Sequence, residues 1–189
     1  MRFTTLHLLT LTVTLSTSFR FTPSMPDGVY SVYTAANGTE IYDLIAPDTS
    51  TTDAIGNPIS VPPQARALRA LTARSIIACG CGVGMDHGDT DKANSNIQKT
   101  VSNGKTVQSG GSLSSKVGSS VVFFCNYDGS DTTARKDEAI SGASAITGAC
   151  GWYIAGTIRL DGHPHLDYGY MGARNDFCAH AEDSGLRHC

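Results

Sequence analysis

Residues 119–127, SSVVFFCNY, constrain the fold more than any other stretch of the chain, because VVFFC joins β-branched and aromatic residues without a polar interruption. Such a run is a strand buried on both faces. Upstream, DTDKANSNIQKTV repeats apolar residues at helical spacing, with Ala93, Ile97 and Val101 on one stripe and Asp89 or Thr90 placed to cap it. Downstream, TTARKDEAISGASAIT has the same character through Ala139, Ala143 and Ile146, interrupted by Gly142 and stopped by Gly148, and the alternating GWYIAGTIRL follows. Strand, helix, strand in this order predicts a right-handed crossover between parallel strands. The fold expected is therefore α/β, a small two-layer α/β sandwich of about four strands in a mixed sheet with about two helices, stabilised by disulfides.

Composition bears on location and partners. Residues 1–18 place Arg2 before an apolar stretch and small Ser16 and Ser18 near its end, the pattern of a secretory signal peptide. The run is interrupted by His7 and several Thr and falls short of the roughly 20 apolar residues of a membrane span. A secreted, extracellular protein with no membrane span is expected. A net charge of −3 at pH 7 argues against nucleic acid held by bulk electrostatics. The six cysteines, Cys79, Cys81, Cys125, Cys150, Cys178 and Cys189, are expected as disulfides in an oxidising space. Cys79 and Cys81 are spaced too closely for the usual zinc ligand pair.

Residues 19–73 contain no cysteine and read as an N-terminal hairpin and linker. β-prone runs at 29–33 and 40–44 flank Ala36-Asn37-Gly38, a hairpin turn signal, and Asn37-Gly38-Thr39 is an N-glycosylation sequon. The Pro-containing stretch 46–65 is a loop, and Arg66, Arg69 and Arg74 follow it. A removable pro-segment is one reading of this region and a short solvated helix the other. The cysteine-rich α/β domain spans 74–189, with residues 108–117 as a flexible Ser/Gly stretch in which 112–116 can form an edge hairpin with the central strand.

Three groups of side chains are candidates for chemistry or recognition. Asp86, His87, Asp89 and Asp91 are an acidic cluster that could take a divalent cation, but acids in a first helical turn are already accounted for by the helix dipole. His163 and His165 flank a turn proline, with Asp167 beyond and His180 and His188 near the end, and could supply acid and base or metal ligands. No G-x-S-x-G elbow occurs, and oxidised cysteines leave no thiol nucleophile. Trp152, Tyr153, Tyr168 and Tyr170 gather on the last hairpin. Alternation puts Trp152, Ile154, Ile158 and Leu160 on the core face with Leu166, Tyr168 and Tyr170, and leaves Tyr153 pointing out. That face assignment sets Leu160 opposite Leu166, lets the Tyr170 ring lie over Gly156, and pairs Arg159 with Asp167 in an exposed ion pair. The crossover also separates Cys125 from Cys150 beyond bridging distance.

The order CGCG, acidic-capped helix, VVFFCNY strand, helix ending ACGWYIAGT and late GYM strand resembles fungal small secreted cysteine-rich proteins. Nearest are effector candidates of plant-associated fungi and the killer-toxin-like, necrosis-inducing secreted effector domain. The resemblance covers residues 75–189. It implies an α/β sandwich pinned by disulfides and a virulence role outside the cell, and it carries over no active-site residue. The function expected is binding to a host or microbial protein or a cell-wall component, without catalysis or cofactor and as a monomer. The alternatives are a small nuclease-like hydrolase using His163 or His165 with Asp167, and a carbohydrate-binding module.

Overall fold

The structure is a computed structural model that describes residues 18–48, 76–163 and 165–178. The leader, the linker, Pro164, His180, His188 and Cys189 lie outside the described residues, as does the side chain of Cys81. In chain order the elements are β1 (Gly28–Thr34), β2 (Glu40–Pro47), β3 (Ile77–Gly84), α1 (His87–Thr100), β4 (Lys105–Val107), β5 (Ser112–Val117), β6 (Ser120–Asn126), β7 (Thr132–Ala134), α2 (Lys136–Cys150), β8 (Ile154–Arg159) and β9 (Leu166–Gly172). Seven strands form one sheet in the order β2-β1-β5-β6-β9-β8-β3, and β4 and β7 form a small second sheet. No helix among the described residues is long and apolar enough to cross a membrane.

This corrects the expected two-layer α/β sandwich of about four strands in a mixed sheet: the protein is mostly β, and every ladder of the large sheet is antiparallel. The physical reason lies at β9. β6 and β8 point the same way, as a crossover through α2 requires, but β9 inserts between them and pairs antiparallel with both. The Ser-rich β5 is a second source of the difference. It pairs with β6 on one side and β1 on the other, so it is an inner strand and is buried along its whole length. Through β1, the hairpin that sequence sets apart from the cysteine-rich region joins the same sheet.

β6 is buried at every position, and alternation sends its side chains into two different cores. On one face Val122 and Phe124 meet Leu113, Tyr168 and the stripes of α1 and α2, including Ala93, Ile97, Ala139 and Ile146. On the other, Val121 and Phe123 meet Tyr30, Val32, Phe19, Phe21 and Phe177. Phe177 stacks at 5.4 Å on Phe21 and at 5.3 Å on Phe123, and its backbone exchanges hydrogen bonds of 2.8 Å with Phe19. Each phenylalanine so buried contributes roughly 1.5 to 3 kcal/mol relative to exposure.

Local chemistry sets the helix ends. α1 is capped by Asp86, which accepts the Asp89 N–H at 2.8 Å, rather than by Asp89 or Thr90. Asp89 is used elsewhere: its Oδ2 accepts the N–H and hydroxyl of Ser119 and holds the turn between β5 and β6. At α2 the Glu138 carboxylate accepts the Arg135 N–H at 2.8 Å. Gly142 lets α2 close on the sheet, since a Cβ there would stand 2.6 Å from the Tyr168 ring. Two disulfides are described, Cys79–Cys150 between β3 and the end of α2 and Cys125–Cys178 on the aromatic face. Cys125 and Cys150 have different partners, in keeping with their separation across the crossover.

Candidate functional site

The last hairpin keeps the expected register. Leu160 N donates to Leu166 O at 3.0 Å, Gly156 lies opposite Tyr170, Ile158 opposite Tyr168, and Arg159 opposite Asp167. Two details differ. The space above Gly156 is filled by Ile146 and the Cys150 sulfur rather than by the Tyr170 ring. The Arg159–Asp167 pair, 3.4 Å between Nε and Oδ1, is buried rather than exposed, because the aromatic face is covered and leaves Asp167 0% accessible. A cross-strand pair in that setting is a structural charge whose loss is costly.

That burial bears on the histidines. Described contacts give Asp167 to Arg159, while His163 Nε2 lies 2.8 Å from Glu138 Oε1 at the start of α2. His165 is exposed, and its carbonyl accepts the Tyr127 N–H. The candidate acid is thus inside the fold and the imidazoles are at its edge. The acidic cluster is also dispersed among protein partners: Asp86 caps α1, Asp89 holds Ser119, and Asp91 accepts the Tyr153 hydroxyl at 3.0 Å. Among the described residues no group of three or more His, Cys, Asp or Glu is placed to hold a metal ion. Asn37 is exposed at the β1–β2 turn, where its Oδ1 accepts the Thr39 N–H at 3.0 Å.

The surface that stands out is the turn joining α2 to β8. Sequence alternation assigns Trp152 to the core and Tyr153 to solvent, and the structure reverses both: Trp152 is 76% exposed, and Tyr153 packs partly buried against the helix-side core. The cause is backbone geometry. α2 closes on Gly151 at φ 103°, and Tyr153 itself takes φ 53°, so the strand alternation begins only at Ile154. A bulky residue at positive φ costs on the order of 1 to 3 kcal/mol and persists where its surroundings over-determine it.

Here they do. The Tyr153 carbonyl accepts the Met85 N–H at 2.7 Å, its hydroxyl donates to Asp91, and its ring stacks on His87 at 3.8 Å with 15° between planes. Burial, with the Asp91 hydrogen bond, raises the Tyr153 phenol above its usual pKa. Cys150, two residues before Trp152, is bridged to Cys79. The indole is thus held out from a turn fixed on both sides, with its ring centroid 6.2 Å from that of Tyr153. Val83, exposed at the end of β3, precedes Gly84, which pairs with Ile154. The helix-stop Gly151 directly before Trp152 was the available sequence signal, since a chain reversing after a helix cap cannot already be in strand phase.

No protein-family model, curated protein or solved structure matches the chain.

Proposed function

We propose that this is a secreted, disulfide-stabilised effector or toxin-like protein that acts outside the cell by binding a host or microbial protein or a cell-wall component, with Trp152 as its anchor. The observation that carries the reading is the 76% exposure of the indole on a rigid turn. Large aromatic side chains are costly to leave in water, and Trp is enriched among residues that dominate binding energy. A fixed turn avoids much of the ordering cost of association. The bridges Cys79–Cys150 and Cys125–Cys178 are compatible with an oxidising extracellular setting. His87 and Tyr153 form the aromatic floor beside the indole.

The test compares the secreted protein with its Trp152→Ala variant in leaf infiltration and in co-sedimentation with insoluble cell-wall preparations. The variant is expected to fold normally and to lose the host response or wall retention by about tenfold or more, the scale of a hot-spot truncation. Equal responses from both proteins would remove Trp152 from the function, and absence of response or retention with the native protein across hosts would remove the binding reading.

A further inference from the structure

On the aromatic face, the turn between β5 and β6, the segment Phe21 to Pro23 and the end of β9 enclose a cleft of about 340 Å³. We propose that it binds a small organic anion, with the carboxylate or phosphate group held by Lys116 and Arg174 and the apolar body lying against the exposed Pro23.

Lys116 is the first reason. It is only 5% exposed, and its ammonium meets Asp27 Oδ1 at 2.6 Å. The other oxygen of Asp27 accepts the Gly118 N–H at 3.0 Å, so that carboxylate is already engaged at both atoms. An ammonium can donate several hydrogen bonds, yet among the described residues Asp27 is the sole polar partner of Lys116. A charge withdrawn from bulk water with donors left over calls for further acceptors.

Arg174 is the second. It lines the same cleft, is exposed, and makes no ion pair among the described residues. Guanidinium is the side chain best matched to a planar or tetrahedral oxyanion. Asp89 reaches the same turn from α1, where its carboxylate lies against Gly118 and is spent on Ser119. Of the residues that line the cleft, Lys116 and Arg174 are the charged ones and both are cations, while the carboxylates of Asp27 and Asp89 beside them are engaged by the Gly118 and Ser119 donors. Water would satisfy the spare donors but would leave the exposed Pro23 wall unused. The site is independent of the Trp152 turn.

Backbone amide NMR at low ionic strength tests it, with benzoate, inorganic phosphate and benzylamine as probes. Benzoate is expected to shift the amides of Gly118, Ser119 and Ala173 saturably, with an affinity in roughly the millimolar range or tighter, and more strongly than phosphate. Arg174→Ala is exposed enough to leave the fold intact and should weaken benzoate by about tenfold, the scale of one charge-assisted hydrogen bond. Lys116→Met should abolish binding, and if that variant unfolds, the Arg174→Ala titration decides alone. Silence of the cleft amides toward both anions, equal shifts with benzylamine, or unchanged affinity in Arg174→Ala would each overturn the assignment. Phosphate binding as tightly as benzoate would overturn the apolar contribution.

Discussion

The helix-side face of the sheet is covered by α1 and α2, whose stripes come from elements contiguous in sequence and rest on Val122, Phe124 and Tyr168. The aromatic face is covered by phenylalanines from distant parts of the chain, Phe19 and Phe21 with Phe177, tied by one bridge of backbone hydrogen bonds and by Cys125–Cys178. A helix brings its own backbone hydrogen bonds to the task of covering a sheet; an extended strap has to be held by side-chain packing and cross-links. The aromatic face should therefore depend on fewer residues, each carrying more of the stability.

The largest effect that would test this difference is Phe177→Ala, which removes the ring stacked against Phe21 and Phe123. It is expected to cost about 3 to 5 kcal/mol in urea denaturation and to speed reduction of Cys125–Cys178 by dithiothreitol while Cys79–Cys150 keeps its native rate. Equal acceleration at both bridges would show that the two faces open as one unit and would break the comparison. Next comes Arg159→Ala, which removes the described ion-pair partner of the fully buried Asp167 carboxylate. A loss of about 3 kcal/mol is expected, as for a buried pair cut on one side; a loss under about 1 kcal/mol would return the pair to the weak surface class.

On the helix side, Gly142→Ala sets two effects against each other. Helix propensity favours Ala by about 1 kcal/mol, but the added methyl would meet the Tyr168 ring at 2.6 Å, and overpacking of a core costs roughly 1 to 3 kcal/mol. Net destabilisation by about 1 kcal/mol is expected in the same denaturation assay, and a gain in stability would mean that α2 can lift off the sheet.

The smallest effect at neutral pH concerns the Tyr168 phenol, which burial holds well above its ordinary pKa. A group raised in the folded state adds stability that is whole below its unfolded pKa, near 10, and is lost as pH climbs toward the folded value. Stability should fall on the alkaline side of about pH 10. Tyr168→Phe should flatten that limb, at a neutral-pH cost of about 1 kcal/mol for the hydrogen bond to Asn94. An unchanged alkaline slope would remove Tyr168 as its source.

Sequence carried the central strand, both helices and the last hairpin, and it did so where one physical signal was undiluted. VVFFC can only be an inner strand, Ala93, Ile97 and Val101 can only be one stripe, and the alternation around Arg159 and Asp167 admits one register. It failed where a strand hides its pattern. Residues 112–116 form the hairpin with the central strand that their sequence allows, but as an inner strand rather than an edge, since the Ser112 and Ser114 hydroxyls bond to each other at 2.5 Å and so tolerate burial in β5. The insertion of β9 between β6 and β8 is a choice among long-range partners, which local periodicity does not report. At the turn joining α2 to β8, one backbone conformation at Tyr153 exchanged the roles of two neighbouring aromatics. The anion cleft depends on a lysine within a Ser-rich strand and an arginine far along the chain, and only the fold brings them together.

The two described bridges interleave along the chain, since Cys125 falls inside the loop closed by Cys79–Cys150 and Cys150 inside the loop closed by Cys125–Cys178. A single proteolytic nick at any point from 80 to 177 consequently leaves its two fragments covalently joined. In a protease-rich medium the molecule would carry such a cut without coming apart, running as one band on a non-reducing gel and as two after reduction.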